Sequence, residues 1–257
     1  MPSVNPFVVP DAAAAYAQGR PYFHPLVLEK VKEKFELNTP VKLAVDVACG
    51  TGMSSSALLG VADRVVATDI SAEMLLQAPK DARITYVQAP AESLPLEDES
   101  ADLITVSSAF HWFERSAFLR EARRVLRPEG WLAIYENFFV GQRHPNLELA
   151  SWFERYYKTY PSPPRDRTPF TDEDAQDAGF TFLPRETYQN TWSFTLLDFV
   201  AYLLSQSNAV TAVSSGRDSA ETLKHKLTEQ LKPFFYGEET FPFAGFIWLL
   251  RRDSRHA

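Results

Sequence analysis

The residues best suited to chemistry stand at the ends of short apolar segments. The small-residue turn 48–52, ACGTG, follows the apolar segment KLAVDVA, and Asp69 ends the next one, RVVATDI. Glycines let a ligand lie against the backbone of such a turn. A carboxylate at the tip of the following strand can accept hydrogen bonds from both hydroxyls of a ribose. This pairing predicts a site for a nucleoside-containing cofactor.

The details of the turn argue against a dinucleotide. A dinucleotide fingerprint reads G-x-G-x-x-G and places a pyrophosphate at a helix N-terminus, and this turn lacks that spacing. Asp46 precedes the turn, and its carboxylate suits a cationic ligand better than a pyrophosphate. A sulfonium with an amino-acid tail is such a ligand. Asp46 could equally cap the backbone amides of the turn, because a carboxylate in an apolar strand needs donors.

The main catalytic candidate is His111, within the segment SSAFHWF. The ordinary pKa of histidine, about 6.5, suits proton removal at neutral pH, so His111 could act as a general base or bind the substrate. A single histidine between Phe110 and Trp112 is also often structural. Cys49 is a weak nucleophile candidate, because no cationic neighbour or base stands beside it. The other four histidines show no ligand spacing, so we expect no metal site.

Alternating segments predict the elements that position these residues. Between residues 41 and 139, apolar runs alternate with helical stretches such as MSSSALLGVA and SAFLREARRVL. This alternation predicts βαβ units and a parallel sheet with helices on both faces. Ligands bind at the carboxyl ends of strands in such sheets. Asp46, Asp69, Ala91 with Glu92, and the segment 107–112 all fall at or just beyond those ends.

The chain after residue 139 has a different pattern. A proline-rich loop, YPSPPRDRTPF, separates an amphipathic helix, NLELASWFERYYKTY, from a strand at 185–194. The segments LLDFVAYLLSQ and DSAETLKHKLTEQL have helical periodicity, and FAGFIWLLRR is a final strand. The two helical segments occupy the region around residues 196–231.

The amino-acid composition excludes some classes of partner and location. The formal net charge is −7, and a nucleic acid partner normally requires a clustered basic surface. We therefore expect no nucleic acid partner. No run of about 18 apolar residues and no leader-like start is present, so we expect no membrane insertion. The single cysteine fits a reducing compartment, and a cytoplasmic location is expected.

Four motifs resemble one enzyme family. They are VDVACGTG, ATDIS followed by Met74, APAESLPLEDESADLITVSSAFHWF, and VLRPEGWLAIYE, which together span residues 41–136. In order and spacing they resemble the class I S-adenosylmethionine (AdoMet)-dependent methyltransferases, in the branch of the ubiquinone/menaquinone and trans-aconitate enzymes. Tyr16, Arg20, Pro21 and Tyr22 resemble the Y-x-x-x-R-P-x-Y segment of this branch.

The resemblance implies an α/β, Rossmann-like fold: a seven-stranded, mostly parallel sheet with helices on both faces and a helical cap insertion. It implies a single domain over residues 1–257. Residues 1–40 would form N-terminal lid helices, 41–140 the AdoMet-binding core, and 141–257 the remaining strands with the inserted cap.

The resemblance also implies roles for individual residues. His111 would be catalytic and would contact the acceptor together with Trp112. The residues expected to bind AdoMet are Tyr16, Arg20, Asp46, Ala48, Gly50, Gly52, Asp69, Ile70, Met74, Ala91, Glu92 and Ser107.

The implied reaction is an in-line transfer of the methyl group to an oxygen, nitrogen or carbon nucleophile of a small molecule. The acceptor could be a carboxylate, and Arg143, Arg165 and Arg167 could recognise it, although solvated arginines are common on surfaces. An alternative is a module that binds AdoMet or S-adenosylhomocysteine without turnover, as a sensor or partner protein. A nicotinamide-dependent oxidoreductase is disfavoured by the spacing of the turn. The acceptor's identity and the oligomeric state stay open.

Overall fold

The structure is a computed structural model that describes residues 16, 19–166 and 168–254. Arg167 and most of the expected lid segment before residue 20 lie outside the described residues. The chain divides into two compact units. Among the described residues, the sheet unit contains those of Tyr22–Glu136, those of Arg165–Thr187 and those from Phe246 onward. The helical unit contains the described residues before Tyr22, and Asn137–Pro164 and Tyr188–Gly245. The expected single domain stays a prediction.

The strands form one mixed sheet. They are β1 (Val41–Val47), β2 (Ala62–Asp69), β3 (Ile84–Gln88), β4 (Ala101–Ser107), β5 (Leu126–Phe139), β6 (Phe180–Phe182), β7 (Glu186–Phe194) and β8 (Glu239–Arg252). Their order is β3-β2-β1-β4-β5-β8-β6, and β7 also pairs with β8. The first five strands in this order pair in parallel, whereas β6 and β8 are antiparallel. The predicted α/β, mostly parallel architecture is confirmed.

Helices and short 3-10 turns connect the strands. The α-helices are α1 (His24–Lys34), α2 (Met53–Leu58), α3 (Ala72–Leu76), α4 (Arg115–Val125), α5 (Leu147–Thr159), α6 (Asp172–Asp177), α7 (Leu196–Leu204), α8 (Ser207–Ser214) and α9 (Ala220–Leu231). The 3-10 turns are Phe110–Trp112, Gly141–Arg143 and Lys232–Phe234. Most helices begin at a residue whose side-chain oxygen accepts a backbone N–H of the first turn, as Glu114 does for α4.

The register of the sheet brings the predicted site segments to one edge. Asp46 of β1 is paired with Thr105 of β4, and Ser107 of β4 with Tyr135 of β5. Asp69 ends β2 opposite Gln88 of β3. Because parallel strands end together, the segments that follow these residues share one border of the sheet. We call it the carboxyl-end edge.

Two details of the sheet differ from the sequence-based expectation. Within the described residues the sheet has eight strands and not the expected seven, because both β6 and β7 pair with β8. Residues 127–130, RPEG, contain the proline and glycine that are typical of a break between a helix and a strand, but they lie within β5. Glu129 has φ 65° there, and the register against β4 shifts between Ala101 and Leu103. A local irregularity of this kind lets the proline and glycine be accommodated in the strand.

The core of the sheet unit explains why β1 and β4 read as nearly continuous apolar runs. Val45, Val47, Ile104 and Val106 are essentially inaccessible to solvent, as both faces of a parallel sheet are covered by helices. The amphipathic helix α4 packs Phe118, Leu119, Ala122 and Val125 against this core.

The helical unit has its own, aromatic core. Phe199 and Phe241 stack at 4.0 Å between ring centroids, and Trp152 stacks on Tyr156 at 5.2 Å. Tyr160 is buried in the same cluster. These aromatic side chains, which could have lined a substrate site, pack against each other in the core of this unit.

No single helix among the described residues is long and apolar enough to cross a membrane. Helices α7 and α8 meet the length and composition criteria only as a pair, and a 67° bend separates them.

Candidate cofactor and acceptor site

The glycine turn at the carboxyl-end edge has an unusual backbone. Ala48, Gly50 and Gly52 all have positive φ, at 56°, 56° and 76°. Gly52 must be glycine for a second reason: a Cβ there would lie 2.6 Å from Tyr86 Oη and 3.0 Å from Ala78 Cβ. Positive φ values at alternate residues form a tight turn, and its small residues let a ligand approach the backbone closely.

Asp69 holds this turn from the end of β2. Its Oδ2 accepts the Gly50 N–H at 2.8 Å, and its Oδ1 accepts the Ser71 N–H at 2.8 Å. Burial raises the pKa of the Asp69 carboxyl, although these backbone N–H donors oppose the rise. Ser71, and not Asp69, caps α3, because its Oγ accepts the Met74 N–H at 3.3 Å. Each carboxylate oxygen of Asp69 has a second lone pair, which a ribose hydroxyl could use.

Two apolar residues beside Asp69 differ sharply in exposure. Ile70 is 54% exposed at the carboxyl-end edge, and Met74 is buried at 5%. The Gln88 side chain donates to the Ile70 carbonyl at 2.9 Å and fixes the backbone there. An exposed Ile beside a site carboxylate offers an apolar face to a ring, whereas the Met74 side chain is shielded from solvent.

Asp46 is fully buried and is satisfied by hydroxyl groups. Ser54 and Ser55 each donate to its Oδ2 at 2.6 Å, and Thr105 donates to its Oδ1 at 3.1 Å. Burial raises the pKa of the Asp46 carboxyl to about 6, against the effect of these three hydrogen bonds. The observed contacts tie β1 to β4 and to helix α2, so Asp46 fixes where the turn ends. Among the described residues, the donors to the Asp46 carboxylate are these hydroxyl groups, and not the backbone amides of the turn that the sequence analysis gave as an alternative.

The turn also contains an unsatisfied hydroxyl. Thr51 is 4% exposed, and its buried Oγ1 has no hydrogen-bond partner within the described part of the chain. A buried hydroxyl without a partner carries a desolvation cost that a polar ligand group would remove. The Thr51 hydroxyl in the glycine turn and the exposed apolar face of Ile70 together fit a ligand with a polar tail and an adenine ring. AdoMet has both parts.

Ala91 and Glu92 follow β3 and have structural contacts. Ala91 is buried in the core of the sheet unit. Glu92 Oε1 accepts the Glu114 N–H at 2.9 Å, just before α4 begins. Their predicted contact with AdoMet has no further support in these hydrogen bonds.

His111 lies beside a carboxylate that the sequence analysis did not single out. Its Nδ1 is 3.0 Å from Glu136 Oε1, and both side chains are largely buried, at 14% and 21% exposed. Glu136 stands near the end of β5, one residue beyond Tyr135, which pairs with Ser107. An ionised carboxylate only accepts hydrogen bonds, so Nδ1 carries the proton and Nε2 of the neutral ring is the acceptor.

The other residues of the segment 107–113 contact each other and the neighbouring strand. Trp112 packs beside His111 at 4.8 Å, and the Arg165 guanidinium lies 5.4 Å above the Trp112 ring. Ser108 has φ 55° and donates its N–H to the Tyr135 carbonyl at 2.9 Å. This strained turn ends β4 at Ser107 and directs the following 3-10 turn along the carboxyl-end edge.

A second buried pair was also missed. His24 Nδ1 is 3.0 Å from the hydroxyl of Tyr135, and burial lowers the pKa of His24 to about 3. Glu136 and Tyr135 belong to the quoted motif VLRPEGWLAIYE. Their position at the end of a strand beside Ser107 was the available signal. No sequence pattern indicated that His24 is the partner of Tyr135, because α1, which contains His24, precedes the first strand.

Tyr16 and Arg20 belong to the helical unit. Arg20 donates to the Ser205 carbonyl at 2.8 Å, and its guanidinium lies over the rings of Tyr16 and Tyr202. Their expected contact with AdoMet therefore stays a prediction.

Cys49 and the acidic residues give no sign of other chemistry. Burial raises the pKa of the Cys49 thiol, which keeps it protonated and unreactive. Within the described residues, no group of three or more His, Cys, Asp or Glu side chains could hold a metal ion.

Comparisons with known proteins agree with this geometry. A family model described as a methyltransferase domain matches residues 45–134, which covers the turn, Asp69 and His111. A Dictyostelium discoideum protein named as a methyltransferase is 27% identical over 197 residues, or 74% of each chain. A demethylmenaquinone methyltransferase of Clavibacter sepedonicus is 39% identical over 97 residues, which is 36% of this chain and 40% of that one.

A solved structure shows the same fold. The type II methyltransferase structure from Anaeromyxobacter dehalogenans superposes with a TM-score of 0.64 at 21% identity, over 89% of this chain and 97% of that one.

Proposed function

This chain is a class I AdoMet-dependent methyltransferase with AdoMet as its cofactor, and from that premise we propose that it methylates a small-molecule acceptor beside His111. The observation that carries the proposal is the contact between His111 Nδ1 and Glu136 Oε1 at 3.0 Å. It lies at the carboxyl-end edge, where ligands bind in sheets of this type.

The binding residues have distinct parts. We assign the backbone of Ala48, Gly50 and Gly52, with the Thr51 hydroxyl, to the amino-acid tail of AdoMet. Asp69 is assigned to the ribose hydroxyls through its remaining lone pairs, and Ile70 with Met74 to the adenine. Asp46 acts indirectly, because its hydrogen bonds fix the position of the glycine turn. The remaining assignments, which rest on the resemblance alone, are Tyr16, Arg20, Ala91, Glu92 and Ser107.

AdoMet supplies an electrophilic methyl group on a sulfonium, so the protein mainly aligns the nucleophile with it. His111 Nε2 is an acceptor for which the described residues supply no partner, and it can take the proton of a phenol or amine. Glu136 holds the ring in that tautomer and stabilises the imidazolium that results. A carboxylate acceptor would need no proton removal, and Nε2–H of a protonated His111 could bind it. Trp112 would contact the acceptor, and the Arg165 guanidinium lies above the Trp112 ring in a cation–π contact.

The experiment is a methyl-transfer assay. We expect purified protein to convert AdoMet to S-adenosylhomocysteine only when a member of a panel of small acids, phenols or amines is present. With the best acceptor, His111→Gln should lower kcat by about 10² to 10⁴-fold if the ring removes a proton. Glu136→Gln should lower kcat less, by about tenfold, because it leaves the base in place. His225→Gln, at an exposed position of α9, is the control and should have wild-type kinetics.

The proposal fails if AdoMet binds but no panel member is methylated, or if His111→Gln and His225→Gln have the same kcat and KM. Turnover without any acceptor would also contradict it.

We further propose that the chain is cytoplasmic and folds as a single methyltransferase domain. The support for the location is its one cysteine, whose thiol is buried. Cell fractionation of the native host tests the location, and a single unfolding transition seen by both fluorescence and circular dichroism tests the domain.

A further inference from the structure

A charged cleft lies in the sheet unit, away from the carboxyl-end edge. It has a volume of about 620 Å³, and it is lined by four arginines and two carboxylates: Asp98, Glu99, Arg120, Arg123, Arg124 and Arg252. Its walls come from the segment before β4, from helix α4 and from the end of β8. We call this border of the sheet, where β4 and β5 begin, the amino-end edge.

Two of the four arginines are already neutralised. Arg124 pairs with Asp98 at 2.6 Å and with Glu121 at 2.7 Å. Arg252 pairs with Glu99 at 2.8 Å and also donates to the Leu126 carbonyl. These ion pairs form part of the wall of the cleft, and they involve both carboxylates that line it, Asp98 and Glu99.

The other two arginines that line the cleft are Arg120 and Arg123. Neither has an ion pair or hydrogen bond to any described residue, and the Nε of Arg123 is shielded from solvent without an acceptor. They are three residues apart on α4, so their like charges lie on neighbouring positions of one helix face and repel each other. Arg124, one residue further, adds a third guanidinium to this face.

The helix itself explains only part of this arrangement. Cations in the last turn of a helix interact favourably with its dipole, and Arg123 and Arg124 are in the last turn of α4. Arg120 lies a turn earlier, where this effect has faded. Because the whole chain has a net charge of −7, a pair of uncompensated guanidinium groups in a cleft is a local exception.

We propose that this cleft binds the phosphate group of a small molecule through Arg120 and Arg123. A phosphate group carries close to two negative charges at neutral pH, which matches two free guanidinium groups. The planar N–H fork of arginine fits phosphate oxygens with two parallel hydrogen bonds. The cleft is within the usual range of small-ligand sites, and its lining is charged, so charge and not apolar contact selects the ligand.

Calorimetric titration with inorganic phosphate at low ionic strength tests the site. The wild type should bind with a millimolar or lower Kd, and Arg120→Gln/Arg123→Gln should weaken binding by at least about tenfold. Arg83→Gln, which removes an exposed arginine paired with Asp81, is the matched control and should bind as the wild type does. Added sodium chloride should weaken binding by the wild type.

The same titration with adenosine monophosphate identifies the source of the phosphate. Binding at least about tenfold tighter than inorganic phosphate indicates a nucleoside phosphate, and equal binding indicates that the phosphate group alone is recognised. Saturating AdoMet should leave the phosphate Kd unchanged, because the cleft is on the other edge of the sheet. Competition by AdoMet would overturn the proposal, as would equal phosphate binding by the wild type and the double variant.

The double variant should fold. Its two side chains have no hydrogen bond or ion pair in the described part of the chain, and relief of their mutual repulsion offsets the lost interaction of Arg123 with the helix dipole. Its midpoint of thermal unfolding should therefore lie close to that of the wild type. A wild type that gives no phosphate signal at tens of millimolar ligand would exclude the site without recourse to any variant.

Discussion

Aspartate side chains have different surroundings at the two edges of the sheet. At the carboxyl-end edge, Asp46 and Asp69 are buried and are held by hydroxyl and backbone N–H donors, without a cation. At the amino-end edge, Asp98 and Asp102 meet Arg124 and Arg127 in ion pairs near solvent. Burial raises the pKa values of the first two carboxyls.

The difference shows at which edge of the sheet charged side chains lower the stability of the fold. Buried carboxylates without a counter-ion are destabilising, and they are typical of sites that bind a ligand or do chemistry. Exposed ion pairs contribute little to stability in either direction. Variants at the carboxyl-end edge should therefore have large, pH-dependent effects, and variants at the amino-end edge small ones.

The largest expected effect is that of Gly52→Ala. The new Cβ would lie 2.6 Å from Tyr86 Oη, at a residue with φ 76°. We expect the free energy of unfolding to fall by about 3 kcal/mol, the sum of left-handed strain and overpacking. Chemical denaturation measures it.

Gly216→Ala is the control for strain alone, because Gly216 has φ 73° and nothing lies within 4 Å of the position that a Cβ would take there. It should cost about 1 kcal/mol. Adding Tyr86→Phe to Gly52→Ala should recover part of the loss, and equal losses for the two glycine variants would show that Tyr86 does not constrain the turn.

His24 should make the wild type sensitive to acid. Its pKa is about 3 in the folded protein and near 6.5 when unfolded, so below pH 6.5 the unfolded chain binds the proton more readily. The stability that neutral His24 contributes is present above pH 6.5 and is lost as the pH falls toward 3; the part lost between pH 6.5 and pH 4 is on the order of 3 kcal/mol. In His24→Gln, denaturation midpoints measured from pH 7 to pH 4 should fall less steeply than in the wild type. Parallel curves would refute this role.

Asp46 should act in the opposite direction over an overlapping range. Its folded pKa is about 6 against an ordinary 3.8, so the folded protein binds the proton more tightly. Its contribution is therefore fully present below pH 3.8 and is lost as the pH rises through 6, by about 3 kcal/mol in total. Asp46→Asn removes this titration, so its stability should fall more steeply on acidification than that of the wild type. A variant curve of unchanged slope would mean that Asp46 titrates in the ordinary range.

The smallest expected effect belongs to the amino-end edge. Arg127 pairs with Asp102 at 2.6 Å, but the Arg127 side chain is 44% exposed. We expect Arg127→Gln to lower the free energy of unfolding by at most about 1 kcal/mol, because solvent screens the pair. The effect should shrink further when salt is added, because the Debye length becomes shorter. A loss as large as that of Gly52→Ala would end the contrast between the two edges.

The sequence was most informative where one element constrains another locally. Alternating apolar and helical segments predicted the parallel strands and their shared carboxyl-end edge, and the register places Asp46, Asp69 and Ser107 as expected. The acidic residue before the glycine turn and the apolar strand around it were enough to predict that its carboxylate must be satisfied. The hydroxyls that satisfy it lie 8, 9 and 59 residues away.

Contacts across long sequence separations were not predictable in this way. The pair His111 and Glu136 depends on the register between β4 and β5, and His24 with Tyr135 depends on where α1 packs. The short strand β6 has only three residues, too few for a periodic pattern, and it forms because β8 offers it a partner. The irregularity at Glu129 likewise reflects pairing with β4.

The most direct test of the account is calorimetric binding of AdoMet and S-adenosylhomocysteine to the wild type, Asp69→Ala and Asp98→Ala. Asp98→Ala removes an exposed carboxylate of the amino-end edge and serves as the control. We predict micromolar binding of both ligands by the wild type and Asp98→Ala, and binding weakened by at least about a hundredfold in Asp69→Ala, through loss of the ribose contacts and of the Gly50 anchor. Equal affinities for Asp69→Ala and Asp98→Ala would contradict a cofactor site at the carboxyl-end edge.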